Sequence, residues 1–323
     1  MRGESSERRV ARQGLAGCRK TISAQQSSDG LHVWDTAQDS GAGRAGLARR
    51  GGNSICPRRA CRALERLADL FSILLESPAM PIETFTAQVE SVKNLTHDVR
   101  QLDLRLIEPK TIAFKPGQFI SFEMPHPQTG HLVTRAYSIA SQPSRPDVMT
   151  LLFNLVPGGP GSGLLFDLNV GDKTHFKGPA GNFYLREDPV RELLFVASGT
   201  GIAPIRSMLL ANAERPDPRP ATLLWGLRSQ RDLYYQEELV DLIGRIPTLT
   251  TITTLSRPEP GWSGESGRVL RLIEERIASV TNLSVYLCGN SAMIADSMHL
   301  LQKKGLCPIY REKYYDDTGS PED

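Results

Sequence analysis

The sequence predicts an antiparallel β-barrel followed by an α/β domain that is built on a parallel sheet. Two patterns along the 323 residues predict this order. Between Phe85 and Leu185, short segments of alternating apolar and polar residues are separated by turns that contain Gly or Pro, which is typical of a barrel. From Arg191 onward, apolar strand-like segments alternate with helix-like segments, and this alternation indicates a parallel sheet covered by helices.

Each predicted strand of the barrel is short, and several are bounded by turn signals such as Pro116-Gly117 and Gly171-Asp172. A short helix over 164–168 is expected to lie across one end of the barrel. The strands are predicted at 85–92, 99–106, 118–122, 149–156 and 173–177.

The second part of the chain alternates between five predicted strands and four predicted helices. Its first strand is apolar almost throughout, as a strand covered on both faces should be. The strands are predicted at 192–198, 221–226, 249–255, 283–289 and 309–315. The helices are predicted at 203–213, 232–244, 268–278 and 292–304.

The upstream part of the chain differs from both predicted domains. Residues 1–61 show no helix or strand period, and their Arg, Gly, Ala, Ser and Gln content offers little apolar surface to bury. Residues 62–77 could form one amphipathic helix. We expect residues 1–79 to be disordered or a wrongly assigned upstream segment, with the working protein starting at Met80; a transit-like leader is the competing interpretation. The remaining boundaries are predicted as 80–187 for the barrel, 188–316 for the α/β domain and 317–323 for a tail.

Composition excludes several classes of protein. A net charge of +2 offers no general field for nucleic acid, and no apolar segment approaches the roughly 20 residues of a membrane span. The five cysteines are sparse and odd in number, which indicates a reducing compartment, expected to be the cytoplasm. Cys56 and Cys61 have the spacing that opens a plant-type iron–sulfur motif, but Leu64 stands where the next cysteine is needed. We therefore predict neither an iron–sulfur cluster nor another metal site in this chain.

The segment from Arg135 to Ser138 (RAYS) is the first motif with chemical content, and we predict that it begins a strand. A flavin needs a flat aromatic surface, a cation for its diphosphate and a hydroxyl near N5. Tyr137, Arg135 and Ser138 could supply these three groups from one strand. The alternative is an ordinary strand with a surface arginine.

Two glycine-rich segments could bring backbone close to phosphate groups. The first, 157–163, precedes the predicted short helix, whose N-terminus would offer unpaired N–H groups; a flexible hairpin loop is the alternative. The second, 199–204 (GTGIAP), lies between an apolar strand and a helix, where ligands bind in open α/β sheets. Because Pro204 occupies the third glycine position of the common dinucleotide fingerprint, a plain strand–helix turn remains the alternative.

Four arginines follow predicted strands or loops of the α/β domain and could hold the phosphates of a dinucleotide. They are Arg228, Arg231, Arg257 and Arg268. A solvated surface charge is the alternative for each of them. Asp232 and Glu237 are expected to be surface charges or helix caps.

Two further positions lie at ends of predicted strands. Cys288 and Gly289 end one strand, and a small polarizable thiol can lie beside a nicotinamide ring, although free cysteines are usually buried core residues. Tyr314 and Tyr315 end the last strand, where one could cover the second face of a flavin or both could pack as ordinary strand residues.

The strings RAYS, GGPGS, GTGIAP, CGN and EKYY, in this order and at these separations, resemble the ferredoxin–NADP⁺ reductase superfamily over about Phe85 to Tyr315. The resemblance implies an FAD-binding barrel, an NAD(P)-binding α/β domain and oxidoreductase activity. It implies FAD contacts from Arg135, Ala136, Tyr137, Ser138, Asn154, Leu155, Val156, Gly161 and Ser162. It implies nicotinamide or nucleotide contacts from Gly199, Thr200, Gly201 and Gly289, and an FAD-stacking aromatic at Tyr314 or Tyr315. The residues closest to hydride transfer would be Ser138, Cys288 and Tyr315.

The function expected from these motifs is hydride transfer between NAD(P)H and FAD, with single electrons passed to or from a separate carrier such as ferredoxin or flavodoxin. The first alternative is the reductase component of a multicomponent oxygenase, and the second is a flavin- and nucleotide-binding subunit without turnover. NADPH is favoured slightly over NADH because Arg228 and Arg231 could bind a 2′-phosphate. Replacing Arg231 by Glu is then expected to weaken NADPH more than NADH.

Overall fold

The computed structural model describes residues 82–126, 129–188 and 190–313. All of them belong to one compact unit, Glu76–Asp323. The predictions for residues 1–79, including the helix over 62–77, lie outside the described residues. So do the predicted end of the last strand at 314–315 and the tail over 317–323.

The first half of the described chain forms the predicted antiparallel barrel-type sheet, which confirms the fold class. Its spatial strand order is β4-β3-β6-β1-β2-β5, and every pair is antiparallel. The elements are β1 Glu83–Asn94, β2 Val99–Glu108, β3 Phe119–Pro125, β4 Leu132–Ser138, β5 Val148–Asn154, helix α1 Pro160–Asp167 and β6 Lys173–Ala180.

The core of the barrel is made by alternate residues that point to its inside. Leu102, Leu104 and Ile120 have no exposed surface. The rings of Phe85 and Phe176 stack with centroids 5.3 Å apart. Burial of these apolar side chains on one face of each strand sets the register and therefore the face on which polar residues remain.

Two local predictions for the barrel are wrong. The motif at 135–138 ends β4 instead of beginning it, because β3 pairs with β4 over its whole length, from Phe119 opposite Ser138 to Pro125 opposite Leu132. Helix α1 starts at residue 160, within the segment predicted as a glycine-rich loop, and not at 164. Inside it, Ser162 Oγ accepts a hydrogen bond from the Val156 N–H (3.0 Å), which holds the helix start against the preceding loop.

The second half forms the predicted parallel sheet, with the spatial order β10-β9-β8-β7-β11-β12 and helices on both faces. The strands are β7 Glu192–Ser198, β8 Ala221–Leu227, β9 Leu249–Leu255, β10 Glu265–Ser266, β11 Leu283–Gly289 and β12 Ile309–Lys313. The helices are α2 Ile202–Ala213, α3 Gln236–Arg245, α4 Val269–Arg276 and α5 Ser291–Lys303. None of the described helices has the length and apolar character that a membrane span requires.

The predicted start of α3 at residue 232 is four residues too early. Residues 230–232 form a separate 3-10 turn, in which the side chain and the N–H of Ser229 both donate to the Asp232 carboxylate at 2.8 Å. Tyr235 then adopts a left-handed backbone (φ 56°) that prevents the turn from continuing into α3. The capping role expected for Asp232 is therefore confirmed.

The barrel and the α/β domain share a buried apolar cluster, which Val99, Ala140 and Leu152 of the barrel join, and polar groups of α2 add hydrogen bonds to it. Arg206 donates to the Ala140 carbonyl (2.6 Å) and forms an ion pair with Glu238 (2.6 Å). Ser207 Oγ donates to the carbonyl of Ser141 (2.6 Å). The two hydrogen bonds to Ala140 and Ser141 therefore join α2 to the segment that follows β4 of the barrel.

Candidate functional site

A cleft of about 1200 Å³ separates the barrel from the carboxyl ends of the parallel strands. It lies at the point where the strand order reverses between β7 and β11, which is where open α/β sheets bind ligands. The barrel lines it with Asp98, Val99, Asn154, Val156 and Pro157. The α/β domain lines it chiefly with Ser198, Gly199, Thr200, Arg228, Asp232, Arg257, Arg268 and Asn290.

The turn that follows β7 depends on glycine at two of its positions. Gly199 has φ +53°, and a Cβ there would meet no atom within 4 Å, so glycine is needed for the backbone angle and not for space. A Cβ on Gly201 would collide with the carbonyl oxygen of Cys288. The turn therefore lies directly against the end of β11 while its other side stays open to the cleft.

A set of hydrogen bonds joins this turn to its neighbours. Thr200 Oγ1 donates to Asn154 Oδ1 of the barrel at 3.2 Å, which links the two domains across the cleft. Ser198 Oγ accepts from the N–H of Asn290 at 3.2 Å. Asn290 in turn caps α5, since its Oδ1 accepts from the Met293 N–H at 2.8 Å.

Three of the four predicted arginines converge on the cleft. Arg228, Arg257 and Arg268 are exposed and line it, whereas exposed Arg231 does not. Among the residues that the structure describes, no ion pair involves any of these four arginines. The cleft wall formed by β8, β9 and the start of α4 therefore offers three guanidinium groups to an anion, and Asp98, Asp232 and Asp296 line the cleft as well.

Arg135 and Tyr137 of the first motif lie beside the first turn of α1. A Cβ on Gly161 would collide with the Tyr137 hydroxyl and would lie 2.8 Å from Arg135 Cγ, so only glycine permits this approach. Tyr137 is held edge-on by Phe122 and Phe153, with centroid separations of 5.8 and 5.7 Å. A guanidinium next to the N–H groups at a helix start is a suitable arrangement for a diphosphate.

The other predicted barrel residues flank this arrangement. Ala136 and Asn154 are exposed, Leu155 is 39% exposed, and Val156 is half-buried. Gly161 and Ser162 are buried at the start of α1. Asn154 and Val156 reach the interdomain cleft, so the loop from β5 to α1 joins the two parts of the site.

Glu312 of β12 lies next to two residues that were predicted to be close to hydride transfer, Ser138 and Cys288. Ser138 Oγ, buried to 3% exposure, donates to Glu312 Oε2 at 3.0 Å. In the parallel pairing of β11 and β12, Cys288 lies opposite Glu312. Burial raises the pKa of Glu312 to about 7, although the hydrogen bond from Ser138 acts in the opposite direction.

Sequence reasoning missed Glu312 as a site residue. It lies inside the EKYY string, and it is the only acid in β12. Its neighbours Tyr314 and Tyr315 lie outside the described residues, so their predicted roles stay predictions. Cys288 itself is fully buried at the end of β11.

Known proteins match the chain over both domains. Residues 86–184 match the family described as "Oxidoreductase FAD-binding domain". Residues 195–299 match the family described as "Oxidoreductase NAD-binding domain".

Similar proteins include the reductase component of a propane 2-monooxygenase from Mycolicibacterium smegmatis, which is 32% identical over 75% of this chain and 70% of that protein. A ferredoxin–NADP reductase B from Sorangium cellulosum is 34% identical over 66% of this chain and 89% of that protein. Among solved structures, a cytochrome P450 reductase from Amycolatopsis has a TM-score of 0.65 at 28% identity, covering 73% of this chain and 71% of that one.

The barrel, the parallel sheet and the cleft between them define a two-domain flavin- and nicotinamide-dependent oxidoreductase. The glycine turn at the strand-order reversal and the three cleft-lining arginines lie within the part that matches the NAD-binding family, and the Arg135–Ser138 strand end lies within the part that matches the FAD-binding family. With the sequence relationships above, the chain belongs to the ferredoxin–NADP⁺ reductase superfamily. The resemblance drawn from the motifs is confirmed.

Proposed function

We propose that the protein catalyses hydride transfer from NADPH to bound FAD and then passes electrons singly to a separate carrier such as ferredoxin or flavodoxin. The observation that carries this proposal is the meeting of Ser138, Glu312 and Cys288. These residues come from the flavin half and from the two strands beyond the strand-order reversal. The hydrogen bond from Ser138 to Glu312 joins the two halves, which supports a hydride-transfer site where they meet.

The residues of the barrel fit FAD. Arg135 and the first turn of α1, which Gly161 allows to approach, would bind the diphosphate, and Tyr137 would support the flavin ring. The segment from Asn154 to Val156, Ala136 on β4, and Ser162 would complete the contact. When bound, FAD supplies the chemistry that accepts two electrons as hydride and gives them up one at a time.

The residues of the α/β domain would bind and orient the nicotinamide end of the coenzyme. Gly199, Thr200 and Gly201 form the turn at the cleft, and Gly289 and Cys288 lie against it. Placing the reacting atoms is the main contribution that a protein makes to hydride transfer. Tyr315, or Tyr314, would cover the flavin where the nicotinamide approaches.

Glu312 is assigned the task of holding a proton beside the flavin. Its pKa of about 7 means that the carboxyl group exists in both forms near neutral pH, and Ser138 Oγ is within hydrogen-bond distance of it. The reduction of FAD by NADPH consumes one proton together with the hydride, so a group that titrates at this position is suited to supply it.

The preference for NADPH rests on the arginine wall of the cleft. Arg228 follows β8, at the position where an acidic side chain would bind a ribose diol, and it has no acidic partner among the described residues. Arg257 and Arg268 would bind the remaining phosphates. Arg231 lies off the cleft, so the structure supports Arg228 as the 2′-phosphate ligand more than Arg231.

A second candidate is the reductase component of a multicomponent oxygenase. The observation that favours it is the naming of similar proteins: those of a propane and a phenol 2-monooxygenase are called reductase components, and that of a toluate 1,2-dioxygenase is called an electron transfer component. We propose that this chain carries no iron–sulfur cluster of its own. In either role it would therefore pass electrons to a separate protein. Its sparse, odd number of cysteines supports work in the reducing cytoplasm.

The proposal is tested by mixing the purified full chain, loaded with FAD, with NADPH or NADH in the absence of oxygen. Rapid bleaching of the visible flavin band is expected, and faster bleaching by NADPH would support the coenzyme assignment. A yellow protein that neither coenzyme bleaches would favour a binding subunit without turnover. Single-turnover electron transfer to ferredoxin, flavodoxin or an oxygenase component then separates the two roles.

A further inference from the structure

The carbonyl oxygen of Gly199 accepts hydrogen bonds from two buried side chains. Trp225 Nε1 donates from β8 at 3.0 Å, and the Tyr234 hydroxyl donates from the segment before α3 at 3.1 Å. The two rings pack edge to face, with centroids 4.8 Å apart. The Gly199 carbonyl is therefore held by two donors, and the rings of these donors also pack against each other.

Both donors are protected from water. Trp225 is fully buried, and Tyr234 is 6% exposed. Burial raises the pKa of Tyr234 well above its ordinary value, with Tyr235 contributing in the same direction. The hydroxyl therefore stays protonated and remains a donor throughout the working pH range.

The Gly199 turn depends on these two hydrogen bonds because no described residue packs against its side that faces the cleft. Its φ of +53° places it in the left-handed region, and a Cβ at Gly199 would meet no atom within 4 Å on that side. Thr200, the next residue, reaches across to Asn154 of the barrel. Fixing the Gly199 carbonyl therefore fixes the peptide that leads to Thr200.

We propose that Tyr234 and Trp225 are positioning residues, which hold the Gly199–Gly201 turn in the geometry that orients the nicotinamide ring. This inference rests on the proposed function and adds residues to its site. Both act through the Gly199 carbonyl, but Tyr234 also lines the cleft, so Trp225→Phe tests the positioning role apart from any contact of Tyr234 with the coenzyme. A small displacement of a positioning group is enough to slow an oriented transfer.

Replacing Tyr234 by Phe removes one of the two donors and keeps the ring. We expect the rate of flavin reduction at saturating coenzyme to fall about tenfold. The affinity for the oxidised coenzyme should fall by about threefold or more, whereas the affinity for its fragment without nicotinamide (ADP-ribose or its 2′-phosphate) should stay within a factor of two. Calorimetry gives both affinities without any turnover.

Tyr235→Phe is the matched control. It removes a neighbouring, largely buried hydroxyl, which donates to Gln101 Oε1 of the barrel at 2.7 Å and does not contact the turn. We expect its reduction rate and both affinities to remain near those of the wild type. Equal behaviour of Tyr234→Phe and wild type would overturn the inference, and so would an equal loss of rate in both variants.

Failure of the proposed function gives a different result. In that case neither coenzyme bleaches the wild-type protein. The ratio of the affinity for the oxidised coenzyme to the affinity for its fragment without nicotinamide still tests whether Tyr234 positions the turn. A ratio that Tyr234→Phe leaves unchanged would overturn the positioning role. Trp225→Phe, which removes the other donor, provides a second test by the same ratio.

Discussion

At the scale of single residues, the site depends on side chains whose surroundings change their chemistry. Glu312 is the main example, because it is buried next to Ser138 and opposite Cys288 with no cation among its described hydrogen-bond partners. Burial without a counter-charge favours the neutral carboxyl group. A Glu312 that is partly protonated near neutral pH follows from this environment and not from the sequence around it.

The raised pKa of Glu312 predicts a pH dependence of stability. The pKa is about 7 in the folded protein, against an ordinary value of 4.5, so the folded state binds more protons between these values. The free energy of unfolding should therefore fall as the pH rises from 4.5 to 7, by about 3 kcal/mol relative to Glu312→Gln. Urea denaturation of both proteins, at matched flavin content, measures this difference at pH 5 and pH 8. Parallel stability curves for the two proteins would contradict the assignment.

Arg228 and Arg231 provide a matched pair for coenzyme choice. Both are exposed arginines three residues apart, but only Arg228 lines the cleft. Arg228→Glu is expected to raise the KM for NADPH about 100-fold and to change that for NADH by less than about fivefold, because a carboxylate would repel the 2′-phosphate. Arg231→Glu should change both by less than about threefold, in contrast to the expectation drawn from the sequence. Steady-state kinetics with a one-electron acceptor measures these KM values and decides which of the two arginines binds the 2′-phosphate.

At the scale of elements, the alternation of apolar residues predicts most strands, and some strand limits agree to the residue, as for 192–198, 249–255 and 283–289. Local pattern fails where tertiary contacts decide the boundary. Pairing with β3 extends β4 back to Leu132, and the left-handed Tyr235 delays the start of α3. Glu312 was missed for a similar reason, since its burial depends on the distant Ser138. The motifs, by contrast, identify the glycine turn and three of the four arginines that line the cleft, although the segment 135–138 ends its strand and does not begin it.

The two glycines of the cleft turn should differ in their tolerance of alanine. Gly199→Ala adds a methyl group in open space and costs about 1–2 kcal/mol of left-handed strain. Gly201→Ala forces its methyl group into the Cys288 carbonyl, so the backbone at the strand-order reversal has to move. We expect coenzyme affinity to fall about tenfold or more in Gly201→Ala, and by less in Gly199→Ala. Titration of each FAD-loaded variant by calorimetry gives the comparison, and a reversed order would contradict the geometry.

At the scale of the whole molecule, a shared apolar cluster and a set of polar contacts together make the barrel and the α/β domain a single working unit. Arg206 is central to it, since its side chain is 14% exposed, pairs with Glu238 and also donates to Ala140 of the barrel. Ser207 adds a bond to the Ser141 carbonyl. The site lies between the domains, so its geometry depends on these contacts as much as on either core.

Arg206→Ala should therefore uncouple the two domains. It removes the bond to Ala140 and leaves the carboxylate of Glu238, 27% exposed, without its cation, at a cost of roughly 2–4 kcal/mol. The described tryptophans, Trp225 and Trp262, both lie in the α/β domain, and FAD reports on the barrel. In wild-type protein, tryptophan fluorescence and flavin release should change together as urea is added, whereas in Arg206→Ala the two transitions should separate. Arg276→Ala is the control, because Arg276 pairs with Glu265 within the α/β domain, and its transitions should still coincide. Coincident transitions in Arg206→Ala would show that the coupling lies elsewhere in the interface.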